Sequence, residues 1–197
     1  MDKPNESGSQ ITKVVGIGAS AGGLAAMKAM LPNLPSDAGV VYVLAQHMDP
    51  THPSLLDQIL RRDSQLTIKV AEASQPLTAD CLYIIPPDMD GRVEKDKIKL
   101  EQAHQPHHPR HTIDTLLSSI AVAYGSESIG VILSGTGSDG LQGMRAIKAQ
   151  EGVAIVQDPA SAQYPGMPSA IIHERIADVI ASPDDITLRD LSMEVHG

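Results

Sequence analysis

Residues 14–31 constrain the fold more than any other stretch of the chain. Val14, Val15 and Ile17 have the β-branched character of a buried strand, and residues 24–31 have that of a helix. A glycine-rich bend joins them: Gly16-Ile17-Gly18-Ala19-Ser20-Ala21-Gly22-Gly23. The same strand-to-helix step recurs. Strands are expected at 13–18, 40–46, 82–86, 130–134, 153–157 and 177–180, and helices at 24–31, 54–61, 112–124, 141–149 and 168–174. The clearest helix is 112–124, where Ile113, Leu116, Leu117, Ile120 and Tyr124 recur at helical spacing. Short Val-, Ile- and Leu-rich strands alternating with helices predict an α/β fold, a doubly wound and mostly parallel sheet with helices on both faces. Asp90-Gly91-Arg92-Val93 and Lys97-Ile98-Lys99-Leu100 add a small antiparallel hairpin.

A chain of 197 residues suits one well-buried domain and is short for two. The pattern predicts a disordered lead-in over 1–12, an α/β domain over 13–186, and a tail or linker start over 187–197. With four Tyr and no Phe or Trp, the core must be aliphatic, with Met as filler. A net charge of −9 and the lack of aromatic stacking platforms argue against nucleic-acid binding. The single cysteine, Cys81, lies beside an apolar run and reads as a buried strand thiol, which fits a reducing compartment. No run is long and apolar enough for a membrane span, and Met1 to Gln10 is too polar for a signal peptide, so a cytoplasmic location is expected.

The bend admits three readings. Gly18-x-Ser20-x-Gly22 fits a nucleophile elbow, where small neighbours allow a sharp turn that exposes a hydroxyl. Gly16-x-Gly18-x-x-Ala21 fits the alanine-tolerant dinucleotide fingerprint, although the acid expected near the end of the next strand is displaced to Asp49. A tight packing turn is the third. Open α/β sheets gather their sites at the carboxyl ends of strands. One rim would then hold Ser20, the segment Gln46-His47-Met48, and the loop Ser134-Gly135-Thr136-Gly137-Ser138-Asp139-Gly140. A hydroxyl, an imidazole and a carboxylate on one rim favour the nucleophile. His47 would take the serine proton, and Asp139 would orient the imidazole. Alone, His47 could merely bond a strand-end carbonyl, and Ser138-Asp139-Gly140 is also a good helix entry. Gly135, Gly137 and Gly140 suit a backbone that runs close to a site.

These segments together resemble the catalytic domain of CheB-type chemotaxis methylesterases. The likeness extends to Gln157-Asp158-Pro159-Ala160 and Gly166-Met167-Pro168, and covers residues 11–185. It implies that Ser20, His47 and Asp139 form a catalytic triad. It also implies that the backbone amides of Ala21 and Thr136 form an oxyanion hole, and that no cofactor is needed. The substrates would be glutamyl methyl esters on cytoplasmic chemoreceptor helices, with glutamine deamidation as a related activity. The stretches His47-Met48-Asp49-Pro50-Thr51-His52-Pro53 and Pro109-Arg110-His111-Thr112-Ile113-Asp114 look more like esterase domains fused to a receptor methyltransferase. Fused methyltransferase or sensory domains are therefore expected partners, and control by a receiver domain within this chain is not. Arg110, Met48 and Asp114 are candidates for seating the substrate helix, with Asp114 alternatively complementing the first turn of its own helix. His104, His107, His108 and His111 lie on a proline-punctuated loop without a nearby cysteine, which suits a solvated edge better than a metal site. A non-catalytic receptor-docking or autoinhibitory module is the alternative from another class.

Overall fold

The computed structural model describes residues 10–47, 55–103 and 110–191. The strands are β1 (Lys13–Ala19), β2 (Val40–Gln46), β3 (Thr67–Val70), β4 (Gln75–Pro76), β5 (Cys81–Ile84), β6 (Met89–Glu94), β7 (Lys97–Gln102), β8 (Ser128–Ile132), β9 (Val153–Gln157) and β10 (Val179–Ala181). The helices are α1 (Gly23–Met30), α2 (Leu56–Arg61), α3 (Thr112–Tyr124), α4 (Leu141–Ala149), α5 (Gly166–His173) and α6 (Leu188–Leu191). Seven strands form a sheet in the order β10-β9-β8-β1-β2-β5-β3, and every pairing in it is parallel. The predicted hairpin is β6–β7, and β4 extends it to three antiparallel strands.

Alternation along the central strands divides the core. Val15, Ile17 and Ala19 of β1 and Tyr42 and Leu44 of β2 pack with Met27 and Met30 of α1 and Leu60 of α2. The opposite residues, Val14, Val41 and Val43, pack with α3, α4, α5 and the small sheet through Val93 and Ile98. Ile113, Leu116, Leu117 and Ile120 are fully buried. At roughly 1.5–3 kcal/mol for each large apolar side chain, that stripe is what fixes α3 on the sheet. Gly16 and Gly18 face it. A Cβ at Gly16 would lie 2.5 Å from Leu117 Cδ2, and one at Gly18 would run into Ile113. The glycine spacing that resembled a dinucleotide fingerprint thus lets a helix lie close against β1.

The sequence pattern misplaces some edges. β8 runs two residues earlier than 130–134 because buried Ser128, bonded to the Gly125 carbonyl, already pairs with Val14. β3 is not predicted at all: on this edge strand only Ile68 is buried, so no apolar run marks it. Residues 10–12, expected in the lead-in, are tied to the fold, with Thr12 N–H and Oγ1 donating to the carbonyls of Gly39 and Ala38. At the other end Leu191 is buried in the first core.

The chain leaves β1 toward β2 on one side and returns to β8 on the other. The carboxyl ends of β1 and β8 therefore form the topological switch point at which open α/β sheets build their crevices.

Candidate active site

Ser20 follows β1 directly. Its amide donates to the Ser134 carbonyl at 3.0 Å, and its carbonyl accepts from Gly23 N at 2.9 Å, closing the turn into α1. Gly22 takes a φ of +76°, a left-handed conformation that glycine adopts without strain. On the facing loop, a Cβ on Gly135 would sit 2.8 Å from the Ser20 Cβ. Small residues on both sides are what allow the two loops to touch.

His47 follows β2, its amide donating to the Ala19 carbonyl at 3.1 Å. Its Nε2 lies 2.7 Å from Asp139 Oδ2. An ionised Asp139 requires the proton on Nε2, which leaves Nδ1 as the ring's acceptor. The His47 ring is 27% exposed, whereas the Asp139 carboxyl is only 6% exposed. Ser20 and His47 line one open cleft of about 500 Å³ with Gly22, Leu24, Gln46 and Gln163. Among the described residues no hydrogen bond joins the Ser20 hydroxyl to the ring. Such contacts often close only when substrate is bound.

Asp139 does not cap the helix that follows it. Its Oδ2 also accepts from Ile113 N at 3.1 Å and its Oδ1 from Asp114 N at 2.9 Å, so it sits at the start of α3. Burial pushes its carboxyl up, but the bond from His47 and the two amides outweigh this and hold it below the ordinary carboxylate value. The capping of α4 falls to Asp114. Its Oδ1 accepts from Gly140 N at 2.9 Å and Gly143 N at 2.8 Å. Asp114 does lie in the first turn of its own helix, as one sequence reading had it, but its side-chain hydrogen bonds go to the start of the neighbouring helix. Burial, with the Asp139 charge adding to it, holds the Asp114 carboxyl above its ordinary value despite those two amides.

Two buried polar residues that lie in the sequence motifs but are given no role there hold the loops together. Ser134 Oγ donates to the Ala21 carbonyl at 2.8 Å and accepts from Tyr164 N at 3.0 Å. The Ser134 amide donates to Gln157 Oε1 at 2.8 Å. A polar residue at the end of a buried strand, or two residues beyond it, was the available signal. Gln157, together with Met167 packed beneath Gly135, explains why the 157–168 segments accompany the other motifs.

Arg110 lies 3.5 Å from Asp88 and lines a crevice shared with Gln46 and His47. Met48, His104, His107 and His108 lie outside the described residues. His111, Asp114 and Asp139 bring ligand atoms within 4.8 Å of one another. The two carboxylates are already engaged by four backbone amides and, at Asp139, by the His47 ring.

The sequence profile of the family described as CheB methylesterase matches residues 15–189. The chain belongs to the CheB methylesterase family. A relative from Leptospira interrogans, named as a putative protein-glutamate methylesterase/protein-glutamine glutaminase, is 36% identical over 171 residues, which span 86% of this chain and 89% of that protein. The protein-glutamate methylesterase/protein-glutamine glutaminase of Thermotoga maritima is 33% identical over 90% of this chain, which spans 52% of that protein. The corresponding protein of Lawsonia intracellularis is 30% identical over 94% of this chain and 53% of its own length. The chain thus spans about half the length of these last two CheB relatives. The crystal structure of the Thermotoga maritima CheB methylesterase catalytic domain superposes with a TM-score of 0.82 at 31% identity, covering 91% of this chain and 97% of that one. The parallel sheet, its helices and the small antiparallel sheet are those of the CheB catalytic fold.

Proposed function

We propose that this chain is a serine hydrolase that removes methyl esters from glutamate side chains on the signalling helices of chemoreceptors in the cytoplasm. Ser20 Oγ attacks the ester carbonyl carbon while His47 Nδ1 takes its proton. The negative oxygen of the tetrahedral intermediate is held by the Ala21 and Thr136 amides. Among the described residues neither amide has a hydrogen-bond partner, which supports this role. The carbon–methoxy bond then breaks, and the imidazolium returns the proton, so methanol leaves. Water attacks the acyl-enzyme by the same route, His47 again taking and returning a proton, to free the glutamate carboxylate and Ser20. Asp139 keeps the ring in the tautomer that this sequence needs. Arg110 and Met48 seat the receptor helix at the rim, and a fused methyltransferase or sensory domain brings the esterase to its substrate. The same steps on a glutamine side chain release ammonia, which is the deamidase reaction in the relatives' names.

The observation that carries this reading is that His47, held 2.7 Å from Asp139, lines one cleft with Ser20. Ser20→Ala should lower kcat for methanol release from methylated receptor fragments by a factor on the order of 10⁴–10⁶. Ammonia release should fall with it. Turnover by Ser20→Ala at the wild-type rate would remove the serine from the chemistry. Absence of turnover by the wild-type protein would favour a docking module instead.

A further inference from the structure

The starts of α3 and α4 exchange carboxylates. Asp139, just before α4, accepts the amides of Ile113 and Asp114 in the first turn of α3. Asp114, in that first turn, accepts the amides of Gly140 and Gly143 at the start of α4. A helix start offers several amides without intrahelical partners, and a carboxylate there is doubly favoured, by hydrogen bonding and by the helix dipole. Here each helix supplies the other's cap, and the His47 ring hangs from one of the two carboxylates. Asp139 precedes Gly140 directly, so the Asp114–Gly140 bond fixes the peptide next to the residue that orients the imidazole. Gly140 has a φ of +102°, and a Cβ there would lie 2.6 Å from Ile132 Cδ1, so glycine is required where that bond forms.

We infer that Asp114 is a positioning residue for the hydrolysis: it acts through the α4 entry to hold Asp139 against His47, and does so by accepting two backbone amides on one oxygen. Its position makes a separate demand on burial. The carboxyl is 13% exposed and faces both the Asp139 charge and His111, whose Nδ1 is 3.4 Å from its other oxygen. A buried carboxylate beside another is electrostatically unfavourable. The geometry it maintains is what offsets that cost. Both amide bonds reach Oδ1, so an asparagine can reproduce them without the charge. Alanine cannot. Glutamate keeps the charge at the helix start but moves the oxygen by a methylene.

The inference rests on the hydrolase reading, so its test includes a signal independent of turnover. Full-length wild type, Asp114→Asn, Asp114→Ala and Asp114→Glu are labelled with ¹⁵N-histidine, and the His47 Nε2–H resonance is assigned by its loss in His47→Gln. Wild type and Asp114→Asn should show that proton in a strong hydrogen bond, and Asp114→Ala should lose it or shift it upfield. On methylated receptor fragments, kcat should fall roughly 10–100-fold in Asp114→Ala with KM within about twofold, and Asp114→Asn should recover most of it. Asp114→Glu should fall between them, and it carries the comparison if the alanine variant does not fold. An Asp114→Ala protein with the wild-type resonance and kcat overturns the inference, as does an Asn variant as impaired as Ala. If the resonance changes as expected while no variant, wild type included, releases methanol, Asp114 still positions Asp139 and it is the substrate assignment that fails.

Discussion

Gly135 sets the tolerance around Ser20. A methyl group there would meet the Ser20 Cβ at 2.8 Å and also run into the Met167 sulfur. The methionine can swing aside, being long and flexible, but Ser20 is pinned by its amide and carbonyl bonds. Gly135→Ala should therefore displace the serine rather than merely crowd the core. Urea unfolding should show a loss of about 1–3 kcal/mol, typical of overpacking. The same change should lower kcat by at least about tenfold, since small displacements of a reacting group are costly. A variant that loses stability but keeps full turnover would show that the loop yields and the hydroxyl does not. At this scale Ser20, His47 and Asp139 could be singled out from sequence because each sits just past a strand or among glycines, which here serve close approach at Gly135 and a positive φ at Gly137 and Gly140. The partners of Asp114, Ser134 and Gln157 could not be read there. These are backbone groups of segments 20 or more residues away, and no local pattern records where such a side chain points.

The loops around the cleft are joined by polar contacts in addition to the two apolar cores. Ser134 bridges the bend after β1 to the segment before α5, and Gln157 at the end of β9 holds the Ser134 amide. Ser134→Ala removes the hydroxyl that accepts from Tyr164 N. The expected cost is about 1–3 kcal/mol, the range for a buried group left without a partner. Adding Gln157→Ala should give a non-additive loss, with a coupling of about 0.5–3 kcal/mol in a double-mutant cycle read by urea denaturation. Strict additivity would mean that the two loops are held independently. The alternation of strands and helices predicts most of the elements because it reflects burial on both faces of a parallel sheet. It fails at β3, with one buried residue, and at the start of β8, where a buried serine is satisfied by a carbonyl three residues back. In both places hydrogen bonding decides the structure, and hydrophobic periodicity does not register it.

For the whole molecule, the two carboxylates at the helix starts act on stability in opposite directions. Asp139 has its folded-state pKa depressed below 3.8, so the unfolded chain binds its proton more readily. Its contribution is present above the ordinary value and is lost as pH falls through the depressed one. Asp114 is shifted the other way, above 3.8, so the folded state holds its proton more tightly. Its ionised form therefore weakens the fold at neutral pH, and that penalty fades as pH falls through the raised value toward the ordinary one. Urea midpoints for the wild type, Asp114→Asn and Asp139→Asn across pH 3 to 8 separate these effects. Asp114→Asn should be more stable than wild type at pH 7, and the gain should shrink toward zero as wild-type Asp114 protonates. Asp139→Asn should be less stable at pH 7, and its deficit should persist to lower pH before closing. An Asp114→Asn protein that is less stable than wild type at pH 7 would mean that the Gly140 and Gly143 amides need a full charge. The site would then gain stability from the same carboxylate pair that orients His47, and not give some up to keep that pair in place.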